Sequence, residues 1–255
     1  MIKMLRKISL SPQQKITLAI LVLYWPAIFI LTHIIMPPSL LRQMQASDKS
    51  LHFLVYFILI ILLWFSISPA EKVNFRKKKI WIILPLLVLY AGVDEWLQGF
   101  EASRTRDIMD FAANLEGLLG GLILICFFSF WPAVLVASAA AIVVFTSAVR
   151  IQFVGQLAFV RPLFLLTSFG FFTFTWNRFL SLFLSMQPGR LKWLFFSLSV
   201  PVAFMLAVKL FSRIAGRAFE LLDIILSLTA IFAVALTTYL VSSLKSFSHR
   251  EKLKH

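Results

Sequence analysis

Eight stretches of about twenty residues with very little charge recur along the chain, each long enough to cross a bilayer as a helix. They lie at 16–36, 51–67, 80–100, 108–130, 132–149, 162–186, 191–211 and 221–243. In the ~30 Å of hydrocarbon, each backbone N–H and C=O has to be satisfied inside the segment itself, which a helix achieves. The expected fold is all-α, a polytopic integral membrane helical bundle of about eight transmembrane helices. Composition agrees. Of 255 residues, 60% are hydrophobic and 14% charged, whereas soluble domains run at ~45–50% and ~25%. The short alternating segments of a membrane barrel are missing from the sequence.

The first run follows Lys3, Arg6, Lys7 and Lys15. It exceeds the ~7–15-residue core of a signal peptide, so it is read as a retained first helix ended by Pro37 and Pro38. Trp131 and Pro132 suggest a break before the fifth run, and Gln187-Pro188-Gly189 a turn after the sixth. Asn177 and Arg178 interrupt that sixth run. No internal repeat relates the two halves. The chain is read as two parts, residues 1–130 with the polar site and 131–255 as a further helical region.

The formal net charge of +14 would suggest nucleic acid in a soluble protein. Here the cations sit between apolar runs, where they set topology and meet lipid headgroups, and no nucleic-acid partner is expected. With an even number of spans both termini share one side. That side also holds Lys72 and the basic run at 76–79, and it is the richer in Lys and Arg. The positive-inside rule then places both termini in the cytoplasm of a cell-membrane protein. The 37–50 and 101–107 connections face outward. A single cysteine, Cys126, excludes an intrachain disulfide and a cysteine metal site.

One stretch, 90–121, breaks the apolar pattern. It holds Asp94, Glu95, Gln98, Glu101, Arg104, Arg106, Asp107, Asp110, Asn114 and Glu116. A charge at the bilayer centre costs at least ~2.5–3.5 kcal/mol, so such groups have a partner or a task. As an antiparallel hairpin, the third and fourth spans bring Asp94 and Asn114 to one depth, ~9 Å below the outer end. Asp94 and Gln98 share a helix face. Asp107, Asp110, Asn114, Gly117 and Gly121 follow steps of three and four, a face that is polar above and glycine-lined below. The Gly117–Gly121 spacing allows close approach of a neighbour, expected to be the third helix. The second span contributes Asp48, Lys49, His52 and Tyr56 at the same end.

Asp48-Lys49-x-x-His52-x-x-x-Tyr56 resembles the first motif of the VanZ-like family. Asp94-Glu95-x-x-Gln98, Arg104 and Arg106, Asp107, Asp110 and Asn114-x-x-Gly117 with its following glycine pair resemble the second. The similarity covers residues 16–130. It implies an integral membrane protein related to accessory factors of teicoplanin-type glycopeptide resistance, and it implies no particular reaction.

The residues themselves suggest an extracytoplasmic-facing site for an amphipathic, lipid-linked envelope molecule or a phospholipid head group. Lys49, Arg104 and Arg106 suit an anionic group. Asp48, Tyr56, Gln98, Asp107 and Asn114 complete the binding set. His52, Asp94, Glu95 and Asp110 are the candidates for proton transfer. His52 beside carboxylates could also ligate a metal, but His33, His249 and His255 lie elsewhere and no HExxH occurs, so no metal is assigned. The residues do not identify a cofactor. Two other readings remain open, a transporter or flippase and a non-catalytic partner of an envelope-synthesis complex. Under either, the cluster would serve transport or helix packing. In the second half, Arg161 and Lys209 are read as snorkelling cations or substrate contacts.

Overall fold

The computed structural model describes residues 10–33, 38–69, 71–100, 107–148, 159–214 and 220–252, without the side chains of 31–33, 38–48, 147–148 and 246–252. Among the described residues there are eight helices and no strand. They are α1 (Pro12–His33), α2 (Pro38–Ile67), α3 (Lys78–Gln98), α4 (Ile108–Phe127), α5 (Phe130–Ala148), α6 (Val160–Phe183), α7 (Leu191–Ile214) and α8 (Leu221–Lys252). Six contain segments long and apolar enough to cross a membrane: Pro12–Ile30, Lys49–Ile67, Lys78–Gln98, Ile108–Phe127, Leu191–Ile214 and Leu221–Lys245. In α5 the apolar helix Phe130–Thr146 is shorter than these, and α6 carries Asn177 and Arg178 in its second half. The chain is a multi-pass helical membrane protein.

Several boundaries differ from expectation. Residues 38–50, expected as a connection, are the first turns of α2. Pro38 is the first helical residue, where a missing N–H costs nothing, and no Gly or Pro follows until the helix has ended. The basic C-terminal tail continues α8 to Lys252 for the same lack of a breaker. The break after α4 falls at Phe128 and Ser129, and Pro132 sits in the first turn of α5, where proline is tolerated. The sixth run is a single helix. The turn at Gly189 is real, with φ of +95°, a conformation that favours glycine.

The chain divides into two compact units between Ala133 and Val134. In the first unit α2 is the central helix. Leu54, Tyr56, Leu59, Ile60, Trp64 and Phe65 are all buried, on several faces, as expected of a helix surrounded by others. α4 crosses it closely. A Cβ on Gly117 would lie 2.2 Å from the Phe53 carbonyl oxygen, and one on Gly121 would lie 2.8 Å from that of Phe57. The glycine face therefore meets the backbone of α2, not α3 as the spacing alone suggested. α1 joins through the Tyr24 hydroxyl, which donates to the Val55 carbonyl at 3.0 Å, and through Trp25 edge-on to Tyr90 of α3.

The ends of this unit are chemically opposite. At one end, the turn after α2 is tied to the end of α4 by Val73 N–H to the Ile125 carbonyl, 3.0 Å. The same turn is tied to the start of α1 by Gln13 to the Pro69 carbonyl, 3.2 Å. Lys15, Lys72 and the basic residues 76–79 lie here. At the other end are Lys49 and the carboxylates.

The second unit has its own core of Ile142, Leu165, Phe169, Phe172, Met205, Val208, Ala230 and Ile231. Its polar contacts are local to the helices. The Ser197 hydroxyl donates to Asn177 Oδ1 at 2.6 Å, a buried bond between α6 and α7. Arg161, expected to snorkel or touch substrate, instead pairs with buried Asp223 and with Glu220 at 3.3 Å, pinning the start of α6 to the start of α8.

Candidate functional site

Local sequence builds the site from three helices. On α3 the buried residues Ile80, Ile83, Leu87, Ala91, Asp94, Glu95 and Gln98 form one stripe. The three polar residues are the last turn of the helix's own packing face. On α4, Asn114, Gly117 and Gly121 are buried on one stripe, as the three-and-four spacing requires. On α2, Lys49, His52 and Tyr56 recur at steps of three and four and face both neighbours.

The contacts run in tiers down α2. At the rim, Lys49 Nζ lies 2.9 Å from Asp107 Oδ2 and 3.2 Å from Asp110 Oδ1. The Lys49 and Asp107 side chains are 41% and 43% exposed and Asp110 13%, so this tier opens to the surface. One turn deeper, His52 Nδ1 is 2.9 Å from Asn114 Oδ1. One turn deeper again, the Tyr56 hydroxyl donates to Asp94 Oδ2 at 3.2 Å, and Gln98 Nε2 donates to the same oxygen at 3.3 Å. His52, Tyr56, Asp94, Glu95, Gln98 and Asn114 are all buried.

Asp94 and Asn114 do not sit at one depth as the hairpin register suggested. They engage residues four apart on α2, an offset of ~6 Å. Side chains lean toward the N-terminus of their own helix, and α3 and α4 are antiparallel. Asp94 therefore leans inward and Asn114 toward the rim.

Glu95 joins α3 to the start of α4. The Asp107 backbone N–H donates to its Oε1 at 2.7 Å. Asp107 is the N-cap of α4, its Oδ1 accepting from Met109 N–H at 2.8 Å, and the acids Asp107 and Asp110 complement the helix dipole there. This capping role was readable in the sequence, as an acid before the run that begins at 108. Two buried atoms in the same cluster, Glu95 Oε2 and Asn114 Nδ2, have no hydrogen-bond partner among the described residues. They are one acceptor and one donor.

Lys49, with support from the Met109 N–H, holds the Asp107 carboxyl below the ordinary carboxylate range. A lowered carboxyl contributes stability above its unfolded value of ~3.9, and that contribution is lost as pH falls through the folded value. The melting temperature is expected to drop as pH goes below ~4, and Lys49→Met should show a smaller drop. Identical pH profiles for the two proteins would show that the pair contributes nothing.

Asp48, Arg104 and Arg106 lie outside the described side chains. Glu116 is exposed on α4 away from the cluster. Among the described residues no group of three or more His, Cys, Asp or Glu is arranged to hold a metal ion. No protein-family model, curated protein or solved structure matches the chain.

Proposed function

We propose that the first unit is a VanZ-like membrane domain. Its cluster on α2, α3 and α4 binds the polar head of an amphipathic, lipid-linked envelope molecule at the extracytoplasmic face of the cell membrane. The observation that carries this reading is the pair Glu95 Oε2 and Asn114 Nδ2, buried and without hydrogen-bond partners among the described residues. A cluster built only to pack helices would be selected to satisfy both atoms, since each buried unsatisfied group costs ~1–3 kcal/mol. An acceptor and a donor left over inside a polar cluster suit a hydroxyl or amide, as on a sugar or peptide head group. Lys49 at the rim, with Arg104 and Arg106, would take the adjoining anionic linkage. His52, Asp94, Glu95 and Asp110 are the groups that would exchange protons with the bound head.

Glu95→Gln tests this directly. The substitution keeps an oxygen for the Asp107 N–H and offers an amide donor in place of the leftover acceptor. Mass spectrometry of purified wild-type protein is expected to find a co-isolated lipid-linked species, reduced at least ~10-fold in Glu95→Gln, the equivalent of one buried polar group left unpaired. Equal amounts in both proteins, or none in either, would reject the reading. The resemblance extends it to teicoplanin-type resistance.

In this reading the chain crosses the membrane eight times, α5 and α6 included, with both termini cytoplasmic. The support is the basic end of the first unit, set against the acidic end that holds the cluster. In a Cys126→Ala background, Met109→Cys should label from outside intact cells and Asn74→Cys only after permeabilisation. The reverse pattern would invert the topology.

A further inference from the structure

The turn between α2 and α3 lies at the opposite end of the first unit from the polar cluster. Its shape is fixed by the protein. The Trp64 indole donates to the Glu71 carbonyl at 2.8 Å, Val73 N–H reaches Ile125, and Asn74 Oδ1 accepts from Arg76 N–H at 2.9 Å. Glu71, the acid of this turn, is consumed by Lys77 at 2.7 Å, which holds its carboxyl below the ordinary range. Lys79 donates to the Ser68 hydroxyl at 3.0 Å. Lys72, Arg76 and Lys78 are exposed, and no described protein acceptor meets their side chains.

Two aromatic rings stand among these cations. Phe75 is 49% and Trp81 62% exposed, with ring centroids 6.2 Å apart. The Trp81 indole N–H donates to the Phe75 carbonyl at 2.7 Å. A satisfied indole N–H beside bare apolar ring faces suits the headgroup level of a bilayer, where Trp rings collect. Cations with no counter-charge among the described residues suit an anionic partner at that same level.

We propose that this turn is a docking surface for anionic phospholipid headgroups, with Lys72, Arg76 and Lys78 holding the phosphate and Phe75 and Trp81 setting the depth. It follows from the membrane-spanning fold and is independent of what the polar cluster binds.

The test uses full-length protein reconstituted with equal phosphatidylglycerol and phosphatidylcholine, followed by native mass spectrometry of retained lipid. Wild type is expected to retain phosphatidylglycerol preferentially. Arg76→Gln/Lys78→Gln should reduce that preference by about fivefold per residue, the equivalent of ~1 kcal/mol for each basic side chain at an anionic surface. Lys192→Gln/Lys245→Gln removes the same charge from exposed positions in the second unit and should leave the preference intact. No preference in wild type, or an equal loss in both double variants, would overturn the proposal.

Discussion

Gly117→Leu is expected to lower the thermal stability of the protein in detergent by ~1–3 kcal/mol or more, the usual cost of overpacking. The reason is what the new side chain meets. Even a Cβ at this position lies 2.2 Å from the Phe53 oxygen and 3.0 Å from Phe57 N. Both are helix backbone atoms, which cannot rotate aside as a side-chain tip can. α4 has to move off α2, and the His52–Asn114 contact one turn above is stretched with it. Gly120→Ala is the control. Its Cβ would meet the Phe53 and Phe57 rings at 3.4 and 3.5 Å, so it should be neutral or stabilising by up to ~1 kcal/mol through helix propensity. Unchanged melting of Gly117→Leu would contradict the close crossing.

Asp94→Leu is expected to destabilise by ~1–3 kcal/mol or more, because it removes the acceptor of the buried Tyr56 hydroxyl and one acceptor of the Gln98 amide. Asp94→Asn keeps an oxygen for Tyr56 and should cost less. Melting curves of the two variants separate these effects. Equal losses would mean that the Tyr56–Asp94 hydrogen bond does not hold α3 against α2.

The sequence revealed the helices because their signal is local. Long apolar runs are unambiguous, and the α4 stripe of Asp107, Asp110, Asn114 and Gly117 can be read from spacing alone. The meeting of Lys49 and His52 with that stripe, and of Tyr56 with Asp94, could be anticipated because acids avoid lipid.

Partner choice was harder to read. The glycine spacing announces a close neighbour without naming it, and the contact on α2 is made by the backbone of Phe53 and Phe57, whose side chains look merely bulky. The depth offset of Asp94 and Asn114 depends on side-chain lean in antiparallel helices, which residue counting ignores. The Arg161–Asp223 pair joins residues 62 positions apart, and no periodicity connects them. The helical start of α2 was hidden by its polarity, since Pro38 to Ser50 reads as a loop when hydropathy is the only guide.

The central claim is that the cluster on α2, α3 and α4 holds a ligand and does more than fasten helices. An experimental density map of the protein, isolated in its native lipid, tests this most directly at Glu95 and Asn114. Non-protein density is expected within hydrogen-bonding distance of Glu95 Oε2 and Asn114 Nδ2, continuing past His52 to the rim at Lys49. Protein groups bonded to both atoms, or density no larger than single waters, would contradict it.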